Sequence, residues 1–314
     1  MNNSRPKIGI LGIGWVGGQV KRYFEEIKGY KPGVDLMLFD RNAPRCAGDV
    51  AKADVIFVTL PTPRDPKTGA CDVSIIDNVL GGVLRKVKDA KIVVIRSTVP
   101  PGTTESFQKK YPKHKFLFNP EFLTESRAWE DMLRPDRQII GFTDQSLDAA
   151  NLVLSLLPKA PFMSPWGTNT YNRTRITATE AEIIKYAGNV YFSQKVNWAN
   201  ALAMVSEKLG VEYENVRQGI AADHRIGDSH LDVYHGGYRG FGGYCFPKDA
   251  AAFMHFAKEK GLSEVHQLLS AMWKFNENLL ASQGLSVDDV SKHIDKIAIA
   301  EKIKAKQKKV KRSN

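Results

Sequence analysis

The sequence predicts a doubly wound α/β fold, in which helices cover both faces of a parallel sheet, followed by an all-helical domain built on one long central helix. In the first half of the chain, short and nearly continuous apolar runs alternate with segments of helical apolar spacing. After about residue 166 only the helical spacing remains. The chain has 314 residues, of which 43% are hydrophobic and 25% charged. These values indicate a globular protein of about two domains and exclude disordered, fibrous and membrane-spanning classes.

The first half contains a series of predicted strands separated by helices. The strands are Lys7–Leu11, Asp35–Phe39, Val55–Leu60, Lys91–Ile95, Phe116–Phe118 and Gln138–Gly141. The clearest helices are Gly18–Lys28 and Val73–Val87. Near-continuous apolar strands are typical of a parallel sheet that is buried on both faces.

A glycine motif directly follows the first strand. Gly12-x-Gly14-x-x-Gly17 opens a helix, and Asp40 closes the next strand. In Rossmann-type folds such glycines let the backbone approach a pyrophosphate, and the acid accepts hydrogen bonds from the ribose hydroxyls. A carboxylate at this place repels the extra phosphate of NADP, although Arg41 beside it would offset part of that repulsion. We therefore expect a dinucleotide site that takes NAD rather than NADP.

The second half begins with one long helix. Thr177-x-x-Glu180 is a capping box, Glu180 and Glu182 place negative charge in the first turn, and Gly210 is a C-terminal stop. The helix that they delimit, Ala178–Leu209, would be about 48 Å long. Because this is too long for the core of a small domain, we expect the helix to span the molecule or to form a dimer interface.

A single cysteine in the second half suggests nucleophilic chemistry. Cys245 lies beside Lys248 and Asp249 in the glycine-rich segment Gly219–Asp249, which is predicted to be a loop. A nearby cation makes a thiol a better nucleophile, and a thiol in a nicotinamide enzyme can capture an aldehyde. The alternative is that Cys245 is a small buried hydrophobic residue.

A lysine and an amide on the long helix form a second candidate group. Lys185 and Asn189 are four residues apart, so they share one helix face. Pointing together into a cleft, they could hold an oxyanion. By spacing alone, a solvated helix face explains them equally well.

The end of the chain is basic. A helix is predicted over Val265–Leu280, and a short one follows Ser286-x-x-Asp289. Lys296–Ala300 fits either a strand or a helix, and Glu301–Asn314 holds six Lys and one Arg against a single Glu. Such a run is more often solvated and disordered than bound to nucleic acid, which we do not expect as a partner.

Taken in order, these motifs resemble the nucleotide-sugar dehydrogenases, the UDP-glucose and GDP-mannose dehydrogenase family. The matching segments also include Leu60-Pro-Thr-Pro63 with Asp72, Arg96-Ser-Thr-Val-Pro-Pro-Gly102, Asn119-Pro-Glu-Phe-Leu123 with Glu125, Asp136-Arg137, Asp223-x-Arg225-Ile-Gly227 and Gly242-Gly-Tyr-Cys-Phe-Pro-Lys-Asp249. The resemblance covers about residues 7–280. It implies an NAD-binding Rossmann-type domain at 1–168, a helical central and dimerisation domain at 169–282, and a short helix with a basic tail at 283–314. Members of the family normally have a third domain, which we do not expect within these 314 residues.

The resemblance also implies roles for individual residues. The implied catalytic residues are the nucleophile Cys245, the oxyanion pair Lys185 and Asn189, and the water-positioning residues Asp249, Thr98 and Glu125. The implied cofactor-binding residues are Gly12, Gly14, Trp15, Val16, Gly17, Asp40, Thr98 and Lys248. The implied substrate-binding residues are Glu121, Phe122, Leu123, Lys185, Asn189, Phe241, Gly242 and, across a dimer interface, Arg225.

The implied reaction is the oxidation of a primary alcohol to a carboxylate with two NAD+ per sugar, most simply UDP-glucose to UDP-glucuronate. GDP-mannose or another UDP-hexose is an alternative substrate, because the cysteine motif does not separate them. A truncated, non-catalytic NAD-binding protein that needs a partner is an alternative of a different class. We expect a homodimer formed through the central helix. No apolar run in the sequence is long enough for a membrane span. Three scattered cysteines form neither a disulfide framework nor a zinc ribbon, so we expect a cytoplasmic location and no metal.

Overall fold

The structure, a computed structural model, describes residues 5–165, 175–291 and 296–313. The chain divides into two compact units. The first comprises Met1–Pro63 and Asp72–Lys185, and the second comprises Arg64–Cys71 and Tyr186–Asn314. The predicted domain boundary between residues 168 and 169 lies outside the described residues.

A six-stranded sheet forms the centre of the first unit, with the strand order β2-β1-β3-β4-β5-β7. The strands are β1 (Ile8–Leu11), β2 (Leu36–Phe39), β3 (Val55–Val58), β4 (Ile92–Ile95), β5 (Lys115–Phe118), β6 (Arg137–Ile139), β7 (Gly141–Phe142) and β8 (Phe162–Ser164). The first five are parallel, β7 is antiparallel to β5, and β6 pairs with β8 in a separate parallel sheet. The prediction of one strand over Gln138–Gly141 is therefore wrong. The chain changes sheets there because Gly141 passes close to the long helix, where a Cβ would lie 2.6 Å from Ala181 Cβ.

Alternate residues of the parallel strands enter two separate hydrophobic cores. Ile8 and Ile10 of β1 belong to one core, whereas Leu11 belongs to the other. The same division separates Phe57 from Val58 on β3. Both faces of the sheet are therefore covered, which confirms the predicted doubly wound α/β fold.

The helices account for most of the remaining chain. They are α1 (Trp15–Arg22), α2 (Ser74–Leu84), α3 (Thr103–Lys110), α4 (Ala128–Leu133), α5 (Leu147–Leu156), α6 (Ala178–Leu209), α7 (Tyr213–Ala221), α8 (Phe246–Glu259), α9 (Ser263–Ser282), α10 (Val287–Val290) and α11 (Lys296–Ser313). A π-helical turn, Tyr23–Ile27, continues α1 over the rest of the predicted helix Gly18–Lys28. Among the helices of the described residues, none is long and apolar enough to cross a membrane.

The predicted limits of the long helix are confirmed. The Thr177 amide donates to the Glu180 carboxylate at 2.7 Å, and the Glu180 amide donates to Thr177 Oγ1 at 3.4 Å, which is the capping box. The helix ends before Gly210, whose φ of +68° suits glycine. The helix begins in the first unit and continues into the second.

Two predictions for the second unit are corrected. The predicted loop Gly219–Asp249 overlaps helices at both ends, because α8 begins at Phe246 with Pro247 and Asp249 in its first turn, both favourable there. The basic end of the chain is helical as far as Ser313 rather than disordered. Ile299 of this helix is buried in a small core, which explains its order.

A pair of adjacent glycines tests the packing of α1 against β1. At Gly17 a methyl group would lie 1.9 Å from the Gly12 carbonyl oxygen, whereas at Gly18 no described atom lies within 4 Å. We expect Gly17→Ala to lower the free energy of unfolding by about 1–3 kcal/mol through overpacking. We expect Gly18→Ala to raise it by about 0.5–1 kcal/mol, because alanine favours the helix. Urea unfolding of both variants measures the difference, and equal effects would contradict this packing.

Candidate functional site

The loop after β1 has the backbone shape that a pyrophosphate requires. Gly12 has a φ of +94°, and a Cβ there would lie 2.8 Å from the Thr59 carbonyl oxygen. Gly14 is the N-terminal cap of α1, and no described atom lies within 4 Å of the position of a Cβ. The peptide groups at this helix N-terminus are therefore open to a ligand, and their dipoles favour a negative charge.

Asp40 connects the end of β2 to this loop. Its Oδ2 atom accepts a hydrogen bond of 2.6 Å from the Ile13 amide, and its Oδ1 atom accepts one of 2.8 Å from the Asn42 amide. Each carboxylate oxygen keeps a second lone-pair position, which a ribose hydroxyl can use. Trp15, 41% exposed, and the half-buried Val16 form the first turn of α1. These residues fit a dinucleotide of the NAD type.

Lys185 forms a buried ion pair with Glu121. Its ammonium group donates to the Glu121 Oε1 atom at 2.8 Å and to the Glu121 carbonyl oxygen at 2.7 Å. The two side chains are 6% and 7% exposed, which excludes a solvated helix face for Lys185. Burial by itself raises the pKa of Glu121, but the charges of Lys185 and Arg96 outweigh it, and the pKa lies below its ordinary value. Glu121 also accepts from the Leu123 amide, so the ion pair holds the segment that follows β5.

Phe122 lies between Glu121 and Leu123 in the sequence, and two cations lie near its ring. The Arg137 guanidinium lies 3.8 Å from the centre of the Phe122 ring, and the Lys185 ammonium lies 5.7 Å from it. Burial lowers the pKa of Arg137, although the neighbouring Asp136 opposes this. Both cations are thus placed within cation–π distance of the Phe122 ring.

Thr98 lies in the loop between β4 and α3. Its carbonyl oxygen accepts a hydrogen bond of 2.8 Å from Thr62 Oγ1, and Ser97 Oγ donates to the Leu60 carbonyl oxygen at 2.6 Å. The start of this loop is thus tied to the segment after β3. Glu125, the third residue with an implied role in positioning water, is exposed at the start of a 3-10 turn. Its proposed role and that of Thr98 stay predictions.

Glu182 is a buried carboxylate that the sequence analysis treats only as first-turn charge. Its carboxylate accepts hydrogen bonds from the Gly102 amide at 2.6 Å, the Thr104 amide at 2.8 Å and Thr104 Oγ1 at 2.6 Å. Its exposure is 0%. Burial raises the pKa of the Glu182 carboxyl to about 7, partly opposed by these hydrogen bonds. The three-residue spacing from Lys185 was the available signal, because it places both side chains on one face of α6.

The thiol and its charged neighbours lie in the second unit. Cys245 is the N-terminal cap of α8, followed in the first turn by Lys248 and Asp249. The Lys248 ammonium donates to Asp249 Oδ1 at 2.5 Å, and the Asn189 amide group donates to Asp249 Oδ2 at 2.5 Å. Burial by itself lowers the pKa of Lys248, but Asp249, Cys71 and Cys245 outweigh it, and the pKa lies well above its ordinary value. Lys248 therefore stays a cation beside the Cys245 thiol.

Phe241 and Gly242 precede the cysteine and are held by a residue that the sequence analysis missed. The Asn276 side chain accepts from the Phe241 amide at 2.8 Å and donates to the Phe241 carbonyl oxygen at 3.1 Å. A Cβ at Gly242 would lie 2.0 Å from the Tyr238 hydroxyl oxygen. Phe241 is 1% exposed and Asn276 0%. A polar residue buried in the middle of α9 was visible in the sequence, but its partner was not.

The remaining predicted residue, Arg225, is on the surface. Its side chain is 78% exposed and is bonded to Asp223 at 2.6 Å. Its predicted role across a dimer interface stays a prediction. Within the described residues, no group of three or more His, Cys, Asp or Glu side chains is placed to hold a metal ion, and none of the three cysteines forms a disulfide.

Two sequence profiles of one family match the chain. The NAD binding domain of the UDP-glucose/GDP-mannose dehydrogenase family matches residues 43–154, and the central domain of the same family matches residues 179–278. Together the two matches cover more than half of the chain. The chain belongs to the UDP-glucose/GDP-mannose dehydrogenase family.

Individual members of the family agree with this result. The chain is 34% identical to the UDP-glucose 6-dehydrogenase of Pseudomonas aeruginosa over 261 residues, which are 77% of this chain and 54% of that protein. It is 32% identical to the UDP-glucose 6-dehydrogenase of Haloferax volcanii over 296 residues, which are 81% of this chain and 66% of that protein. The chain thus spans about half to two thirds of the length of these curated relatives.

Solved structures of the family have the same fold. A UDP-glucose dehydrogenase from the archaeon Pyrobaculum islandicum is 28% identical with a TM-score of 0.71, and the match covers 90% of this chain and 70% of that one. A GDP-mannose dehydrogenase from Pseudomonas aeruginosa is 23% identical with a TM-score of 0.57, over 96% of this chain and 79% of that one. The second likeness shows the fold alone.

The carboxyl of Glu182 makes the stability of this family member depend on pH. Because its pKa is about 7 in the folded chain and 4.5 ordinarily, the folded state binds more protons between these values. Raising the pH through this window therefore removes about 3 kcal/mol of stability. Glu182→Gln lacks this carboxyl, so we expect it to lose this dependence. The unfolding free energy of wild type should therefore fall relative to that of the variant as the pH rises from about 5 to about 8.

Urea unfolding across this pH range measures the difference. Glu26→Gln, which changes a half-exposed carboxyl in an i,i+4 surface pair, is the control and should leave the dependence intact. A wild-type-to-Glu182→Gln difference that is constant with pH would show that this carboxyl keeps its ordinary pKa.

Proposed function

We propose that the chain catalyses the NAD-dependent, four-electron oxidation of UDP-glucose to UDP-glucuronate, with Cys245 as the nucleophile. The observation that carries the proposal is the position of Cys245 at the start of α8, beside the buried Lys248 cation, in a member of this dehydrogenase family. A thiol beside a fixed cation at a helix N-terminus is chemically suited to attack a carbonyl carbon.

The first unit is assigned to the cofactor. Gly14 would leave room for the pyrophosphate, Gly12 and Gly17 would permit the tight turn and the close packing of α1 beside it, and Asp40 would accept from the adenosine ribose. When bound, NAD supplies the hydride acceptor for both oxidation steps. The resemblance adds Trp15, Val16, Thr98 and Lys248 to this binding set. The glycine loop lies before residue 43, where the profile match begins, so its assignment rests on its geometry.

The second unit is assigned to the covalent step. After the primary alcohol has lost a hydride and a proton, the Cys245 sulfur forms a bond to the aldehyde carbon, and the carbonyl oxygen becomes the oxygen of a thiohemiacetal. Loss of a second hydride and of the hydroxyl proton converts this into a thioester. Water then adds to the carbonyl carbon and the carbon–sulfur bond breaks. This step regenerates the Cys245 thiol and releases the carboxylate product. In total one alcohol, one water and two NAD+ give one carboxylate, two NADH and three protons.

Charged and amide groups support these steps. Lys185 and Asn189 are proposed to donate to the oxygen of the reacting carbon, whose negative charge develops during attack and hydrolysis. Asp249 accepts from the Asn189 amide group at 2.5 Å and from the Lys248 ammonium group, so its buried carboxylate orients these two side chains. Thr98 and Glu125 are proposed to position the water.

The substrate assignment follows the relatives. The proteins that are 32–34% identical to the chain are named UDP-glucose 6-dehydrogenases, which favours UDP-glucose over GDP-mannose. The remaining substrate-binding assignments are Glu121, Phe122, Leu123, Lys185, Asn189, Phe241, Gly242 and Arg225. They rest on the resemblance, with support from the ion pair that fixes the Glu121 segment.

The stoichiometry of NADH tests the reaction. We expect purified protein with limiting UDP-glucose and excess NAD+ to form two NADH per sugar, because the aldehyde stays bound to Cys245 between the two hydride transfers. Absorbance at the NADH band, with the sugar product identified by mass, measures the ratio. Cys245→Ser should form at most one NADH per sugar, since an oxygen ester does not replace the thioester efficiently.

Other outcomes of this experiment identify the alternatives. Two NADH per sugar with GDP-mannose or another UDP-hexose, and none with UDP-glucose, would replace the substrate and keep the chemistry. Tight NAD binding without NADH formation from any of these sugars would indicate a non-catalytic NAD-binding protein, or a chain that needs a partner.

We further propose a homodimer formed through α6. In the second unit, Tyr191, Trp198 and Val205 are 58%, 58% and 54% exposed. Their spacing of seven residues places them along one face of the helix, which we name the α6 stripe. A stripe of large exposed apolar side chains is typical of a surface that meets a protein partner, and the same face of a second copy complements it. A cytoplasmic location also stays a prediction.

The oligomeric state tests the α6 stripe. We expect wild-type protein to sediment as a dimer and Trp198→Glu to shift it toward the monomer, because the substitution places a charge in the apolar contact. Val34→Glu changes an apolar residue of the first unit that is 63% exposed, and it should leave the dimer intact. A wild-type monomer at working concentration would remove both the dimer and the role of Arg225 across its interface.

A further inference from the structure

Two buried side chains at the start of α6 fasten two loops of the first unit. Glu182 is bonded to the loop after β4, and Lys185, one turn further on, is bonded to the segment after β5. The parallel strands β4 and β5 are neighbours, so both connections leave from the same edge of the sheet. In doubly wound folds this carboxyl edge carries the ligand-binding loops.

The loop after β4 is fastened at both ends. Its start, Arg96 to Thr98, is held by hydrogen bonds to the last residue of β3 and to the segment that follows it. Its end is held by Glu182, which accepts from the Gly102 amide and from both donors of Thr104. Two prolines lie between these ends and donate no backbone hydrogen bond. The Pro100 carbonyl oxygen accepts from the Thr103 amide and from Thr103 Oγ1, which links the middle of the loop to its end. Thr98 is therefore held directly through Thr62 and, through this turn, by the end that Glu182 binds.

We propose that Glu182 is a positioning residue for the reaction: its carboxylate fixes the end of the loop that carries Thr98 and thereby holds Thr98 in its working place. The inference rests on the proposed function, because it assigns Glu182 to the step in which Thr98 acts. It is distinct from the roles of Lys185 and Asn189, since Glu182 acts through the loop rather than on the reacting carbon.

The charge of Glu182 is balanced by hydrogen-bond donors. Among the described residues it has no ion-pair partner, and Glu105 on α3 adds a repulsive charge. On α6 itself the neighbouring charges have their own partners, since Glu180 is bonded to Thr177 and Lys185 to Glu121. Both amides require an acceptor, so a neutral acid or amide at this position satisfies them less well than a carboxylate.

Hydrogen exchange and steady-state kinetics of Glu182→Gln test the proposal together. We expect the amides of Gly102 and Thr104 to exchange about tenfold faster than in wild type, because one of their acceptors becomes a donor. We expect kcat for NADH formation to fall about 10- to 100-fold, while the KM for UDP-glucose and the Kd for NAD change less than about threefold. Wild-type kcat should also decline below about pH 7 as Glu182 is protonated, and this part of the pH profile should be absent in the variant.

Glu105→Gln is the matched control. Glu105 lies on α3 and its pKa is also raised, by burial and by Asp144, but no hydrogen bond joins it to the loop among the described residues. We expect wild-type exchange at Gly102 and Thr104 and a nearly unchanged kcat. If Glu105→Gln and Glu182→Gln changed the exchange rates and kcat equally, the loss of a negative charge would explain the result. The hydrogen bonds of Glu182 would then not be its cause, and the proposal would be overturned.

A second substitution keeps the test independent of the folding of Glu182→Gln. Thr104→Val preserves the shape of a fully buried side chain and removes one donor to Glu182. Like Glu182→Gln, it should raise the exchange rate of the Gly102 amide and lower kcat. Thr104→Ser, which keeps the hydroxyl, should retain the wild-type exchange rate. Unchanged exchange in both Glu182→Gln and Thr104→Val would overturn the anchoring, and faster exchange with unchanged kcat would overturn the positioning role.

Failure of the proposed function remains distinguishable. If wild type forms NADH with a different nucleotide sugar, kcat is measured with that sugar. If it forms NADH with none, the positioning role falls together with the reaction, and the exchange data, which need no turnover, show that the anchor itself holds or fails.

Discussion

The arrangement of the first unit depends on the burial of opposite charges at the start of α6. Glu182 and Lys185 are both almost fully buried and lie one turn apart, and each is bonded to a different loop at the edge of the sheet. Burying a charge without a partner costs several kcal/mol, so each charge requires its loop to stay in place. One helical turn therefore sets the geometry of the segments that carry Thr98 and Glu121.

The second unit repeats this solution with other residues. Asp249 is fully buried and accepts from Lys248 and from Asn189, so a carboxylate again orients donors supplied by helices. The amide of Asn276 does the same for the backbone of Phe241, without a charge. Because polar groups in a low-dielectric interior are rigid once all their hydrogen bonds are made, such networks hold reactive groups in place before a ligand binds.

Much of the fold followed from local sequence patterns. The strands β1 to β5 are confirmed within two residues, and the capping box of α6 and its stop at Gly210 are also confirmed, because apolar period, capping side chains and glycine act over a few neighbouring residues. The corrected elements depend on distant contacts. Gly141 divides a predicted strand because α6 passes beside it, and the basic end of the chain is a helix because Ile299 packs into a small core.

The sequence by itself determined the family, the doubly wound sheet, the glycine loop with Asp40, and the residues around Cys245, because these are set by spacing along the chain. Only the tertiary structure decided which side chain faces which partner. Lys185 could have been solvated and is instead paired with Glu121, 64 residues earlier. Glu182 accepts a hydrogen bond from the amide of Gly102, 80 residues earlier. Hydrogen bonds between residues so far apart leave no period in the sequence, since they form only when the sheet and α6 bring the two segments together.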